Sequence, residues 1–157
     1  TGSVITYILT KQENRWGVQA RFAAGASGID AEAGARNAEA GRNAVSAFMQ
    51  AWNSHDPVAL AATLHYPHVR IGDGRVEIWR SAAELLAGPE PGRQRTWHET
   101  KLDEVKVAQT TLTGVNLTVK FSRLGRDGRI LSKDEGVFLD ALRDGVWKLQ
   151  ARSTMGS

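Results

Sequence analysis

The spacing of apolar side chains predicts that the main part of the chain begins with helices. From residue 37 to 54, apolar residues recur every three or four positions, as on the buried face of an amphipathic helix. This helix can begin as early as Asp30. Asp56 followed by Pro57 is a typical start for a second helix, which the pattern extends to about Leu64. The apolar stripe of the first helix consists of Ala44, Val45, Phe48, Met49 and Trp52.

A short hairpin and a third helix are predicted next. Residues 68–71 have the composition of a strand, and residues 75–79 are predicted to pair with them across a glycine-rich turn. Ser81 and Glu84 have the spacing of a capping box, in which each side chain satisfies a backbone amide of the other residue. They predict a third helix that ends at Gly88.

From residue 96 onward, apolar and polar residues alternate, which predicts antiparallel strands joined by Asp-Gly turns. The predicted strands cover residues 96–108, 115–121, 130–142 and 146–154. Helices followed by strands indicate an α+β fold, in which three helices pack on one face of a curved, mainly antiparallel sheet.

The first 25 residues repeat the end of the chain. Residues 16–25 match residues 147–156, with Trp, Gln, Ala, Arg and Gly at the same places. A fixed repeat of this kind indicates a duplicated structural unit. We expect a strand hairpin that resembles the tail of a truncated preceding copy, docked on the partner subunit or across a dimer. The predicted organisation is a hairpin over 1–25, a linker or helix start over 26–36, and a complete domain over 37–157.

The composition is that of an ordinary globular protein. The 157 residues include 20 basic and 17 acidic side chains, too balanced for a nucleic-acid-binding surface. There is no cysteine, and no apolar run reaches the ~20 residues of a membrane-spanning helix. The four histidines lack the spacing of metal ligands. We therefore expect a cytoplasmic protein with no nucleic acid, membrane, metal or cofactor among its partners.

Two segments carry a resemblance to a known family. The segment from Phe48 to Pro57, Phe-Met-Gln-Ala-Trp-Asn-Ser-His-Asp-Pro, and the closing strand from Trp147 to Arg152 resemble the nuclear transport factor 2-like superfamily. The segment His65-Tyr-Pro-His-Val-Arg70 is similar to uncharacterised bacterial members. The resemblance implies a cone-shaped α+β barrel, as in ketosteroid isomerase and polyketide cyclase-like proteins, with a pocket on the concave face of the sheet.

The resemblance implies a fold more clearly than a reaction. Phe48 stands where ketosteroid isomerase-like enzymes have a tyrosine that donates a hydrogen bond to the substrate oxygen. Gly72 stands where they have a catalytic carboxylate, and Asp73 follows one position later, where its side chain faces the other side of a strand.

Three residues are candidates for catalysis: His68, Arg70 and His98. Alternation places His68 and Arg70 on one strand face, which the alignment of Gly72 turns toward the pocket. A neutral histidine can shuttle protons near pH 7, and an arginine can bind an anionic group. The alternative is that Val69 faces the core and that both polar residues face solvent or a subunit interface.

Five further residues are candidates for ligand binding: Phe48, Trp52, Tyr66, Trp97 and Asp103. Trp97 lies at the expected pocket mouth. Asp103 lies on the strand that Trp97 opens, and its carboxylate could orient a histidine. Trp52 continues the apolar stripe of the first helix, so a role in the core is the alternative. The alternative for Trp97 is that it covers the core at the rim of the pocket. The alternative for Asp103 is that it is a solvated surface charge.

The predicted function is small-molecule binding in the pocket between helices and sheet. The ligand is expected to be apolar and to carry a carbonyl or acidic group. A histidine-assisted isomerase, hydratase or hydrolase and a non-catalytic binding or dimerisation module are the two alternatives. A homodimer through the convex sheet face is expected, since the outward-facing positions mix polar and apolar residues.

Overall fold

The computed structural model describes residues 4–24, 28–72, 74–88 and 96–155. Asp73 lies outside the described residues, as do Gly25 and Gly156 of the repeat. The elements, in chain order, are β1 (Val4–Gln12), β2 (Arg15–Ala24), α1 (Ala31–Asn53), α2 (Pro57–Ala62), β3 (Leu64–Gly72), β4 (Arg75–Trp79), α3 (Ala82–Ala87), β5 (Trp97–Thr110), β6 (Gly114–Gly125), β7 (Ile130–Arg143) and β8 (Val146–Met155).

Strands β3 to β8 form one six-stranded sheet in the order β4-β3-β8-β7-β6-β5. Strand β3 runs parallel to β8, and the other neighbouring pairs of this sheet are antiparallel. The helices pack on one face of the sheet, which we call the helix-facing side, and the opposite face is called the outer face. The predicted α+β class, with a cone-like, mainly antiparallel sheet, is confirmed.

Helix α1 carries the face that closes the core. Val45 and Phe48 are buried against β6 and β7, in a cluster that also contains Leu117 and Phe138. The helix approaches the sheet closely at Gly41, where a Cβ atom would lie 2.8 Å from Cγ1 of Val115.

The first helix begins earlier than the apolar pattern alone indicates. Asp30 is its N-cap, and its carboxylate accepts a hydrogen bond from the amide of Ala33 at 2.7 Å. An N-cap of this type satisfies an amide that has no partner within the helix. The early start considered from the sequence is therefore the observed one, and residues 31–36 of the segment expected as a linker or helix start are helical.

Strands β1 and β2 form a separate two-stranded sheet, as the sequence predicts. This hairpin lies against the outer face of the six-stranded sheet of the same chain. The Asn116 side chain donates a hydrogen bond to Thr6 Oγ1 at 3.2 Å, and Gln12 donates to the carbonyl of Gly74 at 3.4 Å. Ile8 is only 7% exposed. The sequence predicts docking on the partner subunit or across a dimer, whereas these contacts dock the hairpin on its own chain.

Candidate functional site

A pocket opens between α1 and the helix-facing side of the sheet. The cavity volume is ≈ 40 Å³. The pocket is lined by Phe48, Met49, Trp52, Arg70, Thr100, Phe121, Arg123, Phe138, Arg152 and Thr154. Its walls therefore combine aromatic rings with three guanidinium groups and two hydroxyl groups.

The aromatic wall follows from the spacing of α1. Phe48 and Trp52 lie one helical turn apart, so their side chains share a face, and their ring centroids are 6.1 Å apart. Phe138 on β7 meets Phe48 edge-on at 5.7 Å. Trp97 packs behind this wall, 5.6 Å from the Trp52 ring. The rings restrict the rotamers of one another and give the pocket a rigid apolar side.

Arg152 is the most unusual group of the pocket. It is 5% exposed, and its Nε atom has no hydrogen-bond partner. Among the described residues, no carboxylate pairs with its guanidinium, which instead lies 4.9 Å from the centroid of the Phe48 ring and 5.5 Å from that of Trp52. Burial lowers the pKa of Arg152 to about 9. The charges of Arg70 and Arg123 add to this effect, and the carboxylate of Glu77, which is paired with Arg70, opposes it.

The other two arginines of the pocket are neutralised by carboxylates. Arg70 Nη1 lies 2.5 Å from an oxygen of Glu77, its partner across the β3–β4 pairing. Arg123 Nε lies 3.5 Å from Asp134. Of the three pocket arginines, Arg152 is therefore the one that has no direct ion pair with a carboxylate among the described residues.

A bulge in β8 explains why Arg152 faces the pocket. In the pairing of β7 with β8, Leu139 is opposite Ala151 and the next residue, Asp140, is opposite Leu149, so Gln150 is an extra residue. Strict alternation from Leu149 would turn Ala151 toward the helices. The bulge moves the alternation by one position and brings Arg152 to the helix-facing side, whereas simple period-two alternation does not predict it.

His68 lies in the interior but is not a pocket-lining residue. It is fully buried, its ring stacks on Trp79 with centroids 6.0 Å apart, and Nδ1 is 3.3 Å from the carbonyl oxygen of Leu149. That contact requires Nδ1 to carry the proton, which leaves Nε2 as an acceptor without a partner. Burial, with the charge of Arg152 as a second cause, lowers the pKa of His68 to about 3. The imidazole is therefore neutral at pH 7.

His98, the third catalytic candidate, lies apart from His68 and Arg70. It is exposed, and its ring stacks on that of His55 with centroids 6.0 Å apart. Its backbone carbonyl is 2.9 Å from Nε2 of His55. The structure does not bring the three candidates together around one cavity.

The five ligand-binding candidates are distributed over different surroundings. Phe48 and Trp52 line the pocket, and the buried Trp97 supports them while its indole nitrogen donates to Thr100 Oγ1 at 2.9 Å. Tyr66 lies elsewhere: its hydroxyl donates to the carbonyl of Ala61 at 3.1 Å, and burial raises its pKa. Asp103 is exposed on β5 and accepts a hydrogen bond from Ser122 at 2.6 Å, away from the pocket.

The described residues do not contain a group of three or more histidine, aspartate or glutamate side chains that could hold a metal ion. Within the same ranges, none of the helices has the length and apolar character needed to cross a membrane.

Comparisons with known proteins bear on the fold. No protein-family model matches the chain, and no curated protein matches it. Several solved structures, in contrast, are similar to the chain in fold. A ketosteroid isomerase-like protein from Erwinia carotovora atroseptica SCRI1043 is 22% identical, with a TM-score of 0.55, over 76% of this chain and 95% of that one.

Two more solved structures are similar in architecture. The hexachlorocyclohexane dehydrochlorinase LinA-type3 from Novosphingobium barchaimii LL02 is 14% identical, with a TM-score of 0.60, over 78% of this chain and 90% of that one. A nuclear transport factor 2-like protein with a cystatin-like fold from Novosphingobium aromaticivorans is 13% identical, with a TM-score of 0.59, over 76% of this chain and 81% of that one. The chain thus has the nuclear transport factor 2-like fold, as the sequence resemblance implies.

Proposed function

We propose that this chain binds a small ligand with an apolar body and an anionic group, and that Arg152 is the anchor for that group. The observation that carries the proposal is a buried guanidinium without a counter-ion in the described structure, at the wall of a cavity. A ligand carboxylate would supply the missing charge and accept two parallel hydrogen bonds from a guanidinium.

The energetics favour a functional reason for Arg152. Removing an ion from water costs several kcal/mol in a protein interior. Each of the two cation–π contacts of Arg152 stabilises the charge by roughly 0.5–2 kcal/mol, which does not clearly offset the desolvation penalty. A residue that destabilises the free protein is consistent with a site whose interactions are completed by a ligand.

The apolar walls define the rest of the ligand. Phe48, Trp52, Phe121 and Phe138 present ring faces and edges, which suit an aromatic or alicyclic body. Thr100 and Thr154 add hydroxyl groups that can orient a second oxygen. By its name, one of the compared proteins acts on hexachlorocyclohexane, a small alicyclic molecule.

Binding without turnover is the function that these contacts support best. The described lining contains no carboxylate and no histidine that could act as a general base. The alternative, a histidine-assisted isomerase, hydratase or hydrolase, rests on His68, whose unpaired Nε2 lies in the interior near the charge of Arg152. An enzyme of this kind would use Arg152 to stabilise a developing oxyanion.

Calorimetric titration with benzoate, and with benzamide as a neutral molecule of the same shape, tests the anion site. A hydrogen-bonded charge pair contributes ~1.5–3 kcal/mol, so the chain should bind benzoate about 10- to 100-fold more tightly than benzamide. Arg152→Met should remove this preference. Arg21→Met is the matched control, because Arg21 occupies the equivalent place in the repeat but is exposed.

An equal affinity for benzoate and benzamide in the unmodified chain, or a benzoate preference that survives Arg152→Met, contradicts the proposed anchor. His68→Gln separates the two functions. It should leave benzoate binding unchanged if the chain only binds. If the chain is an enzyme, it should slow the exchange of the α-proton of a bound ketone into heavy water, followed by NMR, without loss of binding.

A further inference from the structure

The hairpin of β1 and β2 is a structural copy of β7 and β8. The residue pairs of one hairpin match those of the other at a constant offset along the chain, and both pairings shift register at the same place. The matched pairs are Tyr7–Arg21 with Phe138–Arg152, Ile8–Ala20 with Leu139–Ala151, and Leu9–Val18 with Asp140–Leu149. The sequence repeat is therefore preserved as a repeat of strand pairing, including the bulge.

The two faces of the hairpin correspond to the two faces of the sheet. Ile5, Tyr7 and Leu9 lie on the face that points away from the domain, and they match positions of β7 on the helix-facing side. Thr6 and Ile8 lie on the docked face, and they match Val137 and Leu139 on the outer face. The hairpin thus docks through the face that corresponds to the outer face of β7 and β8.

The surface beneath the hairpin is that same outer face. Asn116, whose side chain is hydrogen-bonded to Thr6, lies opposite Leu139 in the pairing of β6 with β7. Leu139 in turn lies opposite Ala151 in the pairing of β7 with β8. Leu139 is 5% exposed and Ala151 2%, although both point away from the helices. Phe22 of the hairpin and Leu139 of the sheet line one cleft. The contact is thus made by two copies of one strand pair, with equivalent faces toward each other.

Such a contact has the character of an isologous interface, in which one surface packs on a second copy of itself. We propose that the outer face of this domain is self-complementary, and that the hairpin occupies it in place of a second copy of the chain. The full chain is then a monomer, and the domain without its hairpin pairs with a second copy through the outer face.

Tethering explains why the hairpin prevails over a second chain. A segment joined by a short linker has an effective concentration in the millimolar range, whereas a second copy in a dilute solution is present at micromolar concentration. The connection between β2 and α1 is short, since β2 ends at Ala24 and α1 starts at Ala31. The homodimer that the sequence predicts is therefore expected for the domain without its hairpin and not for the full chain.

Sedimentation equilibrium at micromolar concentration tests the inference on four proteins. These are the unmodified chain, Ile8→Asp, Leu9→Asp and a chain of residues 28–157. Ile8 and Leu9 are adjacent aliphatic residues, but Ile8 is 7% exposed on the docked face and Leu9 is 54% exposed on the other. The shortened chain should fold, because the main core cluster contains no hairpin residue.

We expect the unmodified chain and Leu9→Asp to sediment as monomers, and Ile8→Asp and residues 28–157 to sediment as dimers. A dimer of the unmodified chain would overturn the inference, as would a folded but monomeric 28–157. The same mass for Ile8→Asp and Leu9→Asp would also overturn it when both are folded. If Ile8→Asp does not fold, the mass of the shortened chain decides.

Discussion

Asp140 is a buried carboxyl group whose two oxygen atoms have no hydrogen-bond partner. Burial raises its pKa from 3.8 to about 8, so the folded protein holds a proton that the unfolded chain releases above pH 4. Stability should therefore fall as the pH rises through this range, by up to ~1.4 kcal/mol per pH unit. His68 opposes this slope below pH 6.5, because its lowered pKa means that only the unfolded chain is protonated there.

The window between pH 6.5 and 8 therefore isolates Asp140 from His68. Urea unfolding in this window should show a declining stability for the unmodified chain and a smaller decline for Asp140→Asn. Asp144→Asn, which changes an exposed turn carboxyl group, is the control and should keep the original slope. A slope that Asp140→Asn leaves unchanged would mean that Asp140 is ionised in the folded protein.

At the scale of single residues, the sequence predicts the direction of a side chain well on a regular helix and less well on a strand with a bulge. Phe48 and Trp52 line the pocket because they lie one turn apart on α1, and their place can be predicted from that spacing. Arg152 reaches the pocket through a bulge, which strand alternation does not encode. Thr154 follows Arg152 in the displaced alternation, so it was missed for the same reason.

Helix α1 offers a matched test of how closely it packs on the sheet. Gly34 has no atom within 4 Å of an added Cβ, whereas a Cβ on Gly41 would lie 2.8 Å from a stiff, buried Val115 side chain. Gly34→Ala should stabilise the protein by about 1 kcal/mol through helix propensity. Gly41→Ala should gain the same propensity but destabilise overall, because overpacking costs about 1–3 kcal/mol.

Thermal and urea unfolding of the two variants measure this difference directly, and each variant is the control for the other. Equal stabilisation by both substitutions would show that α1 can move away from β6 without loss of packing.

At the scale of secondary-structure elements, the residues at which a helix or strand begins and ends were harder to predict than whether a segment is a helix or a strand. The sequence gives each helix and strand its type, because the apolar periods of 3.6 and 2 are distinct. The start of α1 depends on the Asp30 cap, since the turns before residue 37 have weak amphipathic character. The docking of the β1–β2 hairpin depends on contacts between residues far apart in the chain, such as Thr6 with Asn116, which no local pattern contains.

At the scale of the whole molecule, the fold encloses a pocket whose wall contains a buried positive charge. Helix α1 and the curved sheet enclose a cavity, and the bulge of β8 turns Arg152 into it. The fold is shared with solved structures that are less than 25% identical to this chain in sequence. The central claim is that Arg152 reduces the stability of the free protein and is stabilised by an anionic ligand.

Urea unfolding of the unmodified chain and of Arg152→Met, each with and without saturating benzoate, tests this claim most directly. Without benzoate, Arg152→Met should be more stable by at least ~1 kcal/mol, because a buried charge is replaced by an apolar side chain of similar length. Benzoate should stabilise the unmodified chain, by about 2.7 kcal/mol at 100 times its Kd, and leave the variant unchanged. A variant that is less stable than the unmodified chain without benzoate, together with no stabilisation of either protein by benzoate, would contradict the account.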